Sequence, residues 1–163
     1  MKRNILFLAV LCVASLQAFA QIKFENYYDK GKMYKYIEGE MTADSVRVGK
    51  WTWWHPNGKV FQEGEYANGE KVGQWIVYYE DEQVCAKEDY ENGYHRSWHK
   101  NGELKSEIAI VDGKKNGVYK AWYENGTLKD EMTFVNGSKE GAVREWYANG
   151  QLKFEGEYSN DVL

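Results

Sequence analysis

The chain has 163 residues, 43% hydrophobic and 16% aromatic, with 25 acidic against 21 basic side chains and a net charge of −4. That balance argues against docking on nucleic acid or anionic membrane surfaces, which attract clustered positive charge. Sixteen glycines, one proline and two cysteines favour strands and tight turns held by packing rather than by disulfides.

Residues 1–20 read as a cleavable export signal: the basic pair Lys2-Arg3, an apolar run from Ile5 to Ala14, and the small-x-small site Ala18-Phe19-Ala20. The apolar run predicts a short helix, below the roughly 20 residues a permanent span needs. Bulky Leu11 before Cys12 is unlike a lipidation site, and no later stretch is apolar enough for a transmembrane helix. The expected location is therefore exported, periplasmic or secreted. Cleavage leaves 143 residues, a charge of −6 and one cysteine, Cys85.

Residues 21–48 read as a degenerate half or cap repeat, carrying Tyr27-Tyr28-Asp29-Lys30-Gly31-Lys32 and Glu38-Gly39-Glu40-Met41. Residues 49–163 hold five tandem copies of one unit, whose opening glycine (place 0) is Gly49, Gly73, Gly93, Gly117 and Gly141. Place 5 is always aromatic: Trp54, Tyr78, Trp98, Trp122, Trp146. Places 8 and 9 are Asn-Gly, except for Asp81-Glu82, and place 11 is Val or Leu. Place 14 is Glu63, Glu107, Glu131 and Glu155, with Lys87 as the exception. A further turn follows at Asn68-Gly69, Asn92-Gly93, Asp112-Gly113 and Asn136-Gly137. Between Gly73 and Gly93 four residues are missing, an even number that lets later side chains keep their faces.

Asn-Gly between alternating runs signals a β-hairpin with a two-residue type I′ turn. Each copy is then strand, tight turn, strand, looser turn, and the fold is all-β: one elongated, twisted antiparallel meander. A two-residue turn at places 8 and 9 sets place 5 opposite place 12 and place 3 opposite place 14. Arg96 then meets Glu107, Lys120 meets Glu131, and Arg144 meets Glu155. Places 2, 4, 6, 11, 13, 15 and 17 form the packed face. The other face carries the charge pairs and the place 5 aromatics, set against Lys105, Lys129 or Lys153 in the last three copies.

Written as Gly-x-Trp-x-x-Trp-Tyr-x-Asn-Gly-x-Leu-Lys-x-Glu-x-x-Tyr-x-Asn-Gly, the unit resembles the MORN repeat variant family, over roughly residues 49–161 and more weakly 25–48. Bacterial relatives include YwqK-like antitoxin-type proteins, so the resemblance implies a binding role, with no catalytic residues to carry over.

Chemistry is sparse. In a strand, His95 and His99 stand roughly 13 Å apart, too far to share a metal. His55 and His99 occupy place 6, where other copies have Tyr. Cys85 reads as a free thiol. The place 14 glutamates recur with the repeat and have cationic partners, so they read as a salt-bridge ladder rather than a catalytic pair. No enzyme, cofactor or metal is expected. The candidate binding surface is Trp54, Tyr78, Trp98, Trp122 and Trp146 with Lys105, Lys129 and Lys153. Such a row can stack on a partner protein or on sugar rings. The expected function is a protein-binding or scaffolding module of the bacterial cell envelope. Toxin neutralisation and glycan binding are the alternatives.

Overall fold

A computed structural model describes residues 21–163; residues 1–20, read above as an export signal, lie outside the described residues. Twelve strands pair in chain order into one antiparallel sheet, with the first and last as its two edges. They are β1 (Ile22–Tyr27), β2 (Lys35–Met41), β3 (Arg47–Trp54), β4 (Val60–Ala67), β5 (Glu70–Tyr78) and β6 (Val84–Asp89). The second half holds β7 (Tyr94–Trp98), β8 (Leu104–Val111), β9 (Lys114–Trp122), β10 (Leu128–Val135), β11 (Ser138–Trp146) and β12 (Leu152–Tyr158). The all-β meander is as the repeat predicts. Residues 21–48, read as a degenerate half or cap repeat, supply the hairpin β1–β2, with Phe24 opposite Gly39.

The two kinds of turn exchange roles. At Asn68-Gly69, Asp112-Gly113 and Asn136-Gly137 both residues have positive φ, and the flanking Ala67–Glu70, Val111–Lys114 and Val135–Ser138 are directly paired. These are the type I′ turns. At places 8 and 9 only the second residue is left-handed, as at Gly58, Gly102, Gly126 and Gly150. There the amide of Gly58 donates to the His55 carbonyl and the His55 amide to the Lys59 carbonyl, a three-residue loop closed by a bulge. Place 8 supports it: the Asn57 carboxamide oxygen accepts the Lys59 amide at 3.0 Å.

This corrects the register at one end of every hairpin. Place 3 does face place 14, with Thr52 on Glu63, Arg96 on Glu107, Lys120 on Glu131 and Arg144 on Glu155. Place 5 faces place 11, not place 12: Trp54 pairs with Val60, Tyr78 with Val84, Trp98 with Leu104, Trp122 with Leu128 and Trp146 with Leu152. Place 12 is the extra residue of a bulge.

The core lies on one face, among places 2, 4, 15 and 17. Trp51 and Trp75 are fully buried, and Ile37, Ile108, Ala121, Phe134 and Val143 are nearly so. Around the two indoles, Trp51 stacks on Phe24 at 5.7 Å, and Tyr66 meets Trp75 edge-on at 4.9 Å. The Arg47 guanidinium sits 4.7 Å over Trp51 and donates to the Tyr66 hydroxyl. A single-layer sheet has no second layer to cover these groups, so large aromatics and a cation cover one another.

Candidate functional site

The bulge at place 12 decides what each face carries. Directly paired residues share a face, so the aliphatic residue of place 11 stands beside the place 5 aromatic. The packed face therefore loses place 11, and the charged face gains a strip of five aromatic–aliphatic pairs, from Trp54–Val60 to Trp146–Leu152. Every aromatic in the strip is half-buried. Tyr78 ties strip and ladder together, its hydroxyl donating to Glu63 at 2.9 Å.

The lysines of place 12 turn to the opposite face. Lys153 bonds Glu145, a place 4 residue, at 2.9 Å, and the Lys129 ammonium lies 5.9 Å from the Tyr123 ring at place 6. Lys105 and Lys129 line one cavity with Tyr119 and Ala121 of the packed face. Phe61 in the same place meets His55 at 5.1 Å. Lys105, Lys129 and Lys153 are therefore not partners of the aromatic row; aliphatic packing takes their place, and Trp54 receives a cation from elsewhere, Lys35 at 5.8 Å. Leu104, Leu128 and Leu152 are the neighbours that the two-residue-turn register concealed.

Successive hairpins separate near the bulged turns, and side chains bridge the gap. The Tyr28 hydroxyl donates to the Trp54 carbonyl, Tyr79 to Trp98 and Tyr123 to Trp146, at 2.7, 2.8 and 2.9 Å. His55 and His99 do the same through Nε2 to Tyr78 and Trp122, which puts the ring proton on Nε2. The carboxamides of Asn57, Asn101 and Asn125 donate to Glu80, Glu124 and Ala148. Place 6 thus anchors the backbone of the next copy's place 5 residue, which sets the spacing of the strip. These rings are structural, and among the described residues no group of three or more His, Cys, Asp or Glu is placed to hold a metal. Cys85 is free and lies near the Tyr79 hydroxyl, whose pKa burial and then that thiol push up.

Beside the strip runs the ladder of places 3 and 14. Each glutamate except Glu155, on the edge strand, is flanked by its own copy's place 3 and by the next copy's: Glu107 by Arg96 and Lys120, Glu131 by Lys120 and Arg144. Arg144 reaches Glu155 at 2.7 Å, and Lys120 reaches Glu131 at 3.4 Å. In the first copy Lys50 bonds Glu63 at 2.7 Å, and this lysine and then the Tyr78 hydroxyl hold the Glu63 carboxyl below its usual range, against the effect of burial. The ladder is a structural device, as its recurrence implies.

A family model described as MORN repeat variant matches residues 47–68, 71–92, 115–136 and 139–160. Each of these segments spans one hairpin, across its bulged turn. No curated protein matches the chain.

Proposed function

Starting from the fact that the chain belongs to the MORN repeat variant family, we propose that it is a non-enzymatic module that binds another protein of the bacterial cell envelope through its charged face. The observation that carries this is the strip itself. Five half-buried aromatics, each beside a Val or Leu, form an apolar line roughly 10 Å in period, bordered on one side by ion pairs. An apolar centre with a charged rim is the usual anatomy of a protein-binding patch, and Trp and Tyr dominate binding energy in such patches. Export rests on residues 1–20, and the place in the envelope follows from it.

Trp146 and Tyr147 are chain neighbours that point to opposite faces, which provides the test. A photo-crosslinking residue at Trp146, introduced in intact cells, should trap one discrete envelope protein, and the same residue at Tyr147 should not. Trapping from Tyr147 alone, or recovery of the chain in the cytoplasm, would reject the reading. The identity of the trapped protein separates a scaffold from a toxin-neutralising role.

A further inference from the structure

The ladder breaks its own rule once. Across β6 and β7, Lys87 stands directly opposite Arg96, and its other neighbour, on β5, is Ile76. Arg96 is compensated on its far side by Glu107 at 3.4 Å, whereas Lys87 has no carboxylate within ion-pair distance among the described residues. Like charges opposed across strands are destabilising. Among the described residues the other such pairs are compensated by cations: Glu25 opposite Glu38 by Lys23 and Lys35, and Asp130 opposite Glu145 by Lys129 on the one and Lys153 on the other. Lys87 is left with an unspent positive charge.

That charge lies where the surface is hollow. Two open cavities, of about 490 and 500 Å³, adjoin one another, and Lys87 and Trp98 line both. The first also has Gln83 and Asn101 in its wall; the second has Gln74, Asp89, Asn92, Tyr94 and Arg96. Gln74 and Asn92 each donate to the Asp89 carboxylate, at 3.1 and 3.0 Å, which leaves their amide oxygens as acceptors. Elsewhere in the strip the aromatic's charged neighbour is a neutralised pair. Here an indole stands beside two adjacent cations, and the wall carries amides, the Tyr94 ring and the Asp89 carboxylate, which Gln74 and Asn92 already occupy.

We infer that the Lys87–Arg96–Trp98 hollow is a binding site for an acidic sugar of the hexuronate class. The carboxylate would lie between the Lys87 ammonium and the Arg96 guanidinium, where charge-assisted hydrogen bonds are strongest. The ring would stack on Trp98, and its hydroxyls would meet the amides. A peptide site would call for more apolar lining than Val84 and the Tyr94 ring provide beside the indole. The site lies on the face proposed to meet a partner but does not depend on that partner, and crosslinking at Trp146 reads the one without the other.

Titration calorimetry on the purified chain with digalacturonic acid, cellobiose and tetra-aspartate tests it. Digalacturonic acid should bind saturably and cellobiose should not. Lys87→Glu completes the ladder against Arg96, so it should raise the thermal midpoint while weakening digalacturonic acid by about tenfold or more. Trp98→Ala should weaken it as well. Undiminished binding by Lys87→Glu, equal binding of cellobiose, or binding of tetra-aspartate that survives Trp98→Ala would each overturn the proposal. Loss of binding together with a lowered midpoint in Lys87→Glu would overturn it too, by making Lys87 a structural residue.

Discussion

The indole of Trp75 sits against the bare backbone of Gly64: a Cβ built on that glycine would stand 2.3 Å from the ring. The same relationship joins Trp51 to Gly39 one hairpin earlier, at 2.2 Å. Both indoles donate to carbonyls of the strand they cover, Trp75 to Glu65 and Trp51 to Glu40. Place 15 of one copy and place 2 of the next thus share one volume. Glycine receives tryptophan at the N-terminal end; later, Ile108 precedes Tyr119 and Met132 pairs with Val143. Neither glycine has positive φ, so the requirement at both is space, not backbone conformation.

Gly64→Ala should therefore destabilise the sheet by about 1–3 kcal/mol, the usual range for an overpacked core. Urea unfolding followed by tryptophan fluorescence measures the loss. Pairing Gly64→Ala with Trp75→Leu should cost less than the two single losses added, because the methyl then enters vacated space. Strict additivity would show that the two side chains do not share that volume.

This relationship also marks how far the sequence could be read. The place 3 to place 14 register was legible because charge complementarity reports it in the last three copies, and the structure keeps it from Thr52–Glu63 to Arg144–Glu155. The bulge was not legible, because Asn-Gly serves a type I′ turn and a three-residue bulged loop equally well. One extra residue at place 12 then moves Leu104, Leu128 and Leu152 to the aromatic row and Lys105, Lys129 and Lys153 away from it. A signal was present at Asp81-Glu82: a turn that tolerates two non-glycine residues does not require positive φ at both. The fit of Trp75 on Gly64 lies between copies, and a repeat alignment hides it by placing the two residues in different units.

Glu82 tests the turn assignment. It has φ of 72°, in the position that glycine holds in the other four copies. A left-handed conformation costs a residue with a Cβ about 1–2 kcal/mol, partly offset by the entropy glycine loses on folding. Glu82→Gly should stabilise the chain by about 0.5–1 kcal/mol, whereas Asp81→Gly should not, since Asp81 is not left-handed and its carboxylate accepts the Gln83 amide. Equal gains from both would restore the type I′ assignment.

The place 6 bridges should carry stability from copy to copy. Tyr123→Phe removes the bond to the Trp146 carbonyl and leaves the ring in place. The expected loss is about 1 kcal/mol, with faster amide exchange in β11 and β12 than in β3 and β4. The Tyr147 hydroxyl makes no hydrogen bond among the described residues, so Tyr147→Phe should be neutral. A uniform rise in exchange along the sheet would argue against a local bridge.

Acid sensitivity should trace to His95. Burial holds its pKa below the ordinary 6.5; Glu88 opposite pulls it up, while Lys71 and Lys115 push it down. Ile108 is its partner on the other strand, and the Tyr90 ring lies 6.2 Å away. A base with a depressed folded pKa takes its proton more readily when unfolded, so the folded state loses ground as pH falls through 6.5 and levels off below the folded value. The carboxylates held low in the fold, such as Glu63 and Glu88, titrate below 4.5 and leave this window clear. Between pH 7.5 and 5.5 the urea midpoint of the unmodified chain should therefore decline, and His95→Phe, which keeps the ring against Tyr90, should flatten that decline. Parallel declines in the two proteins would move the acid sensitivity elsewhere in the sheet.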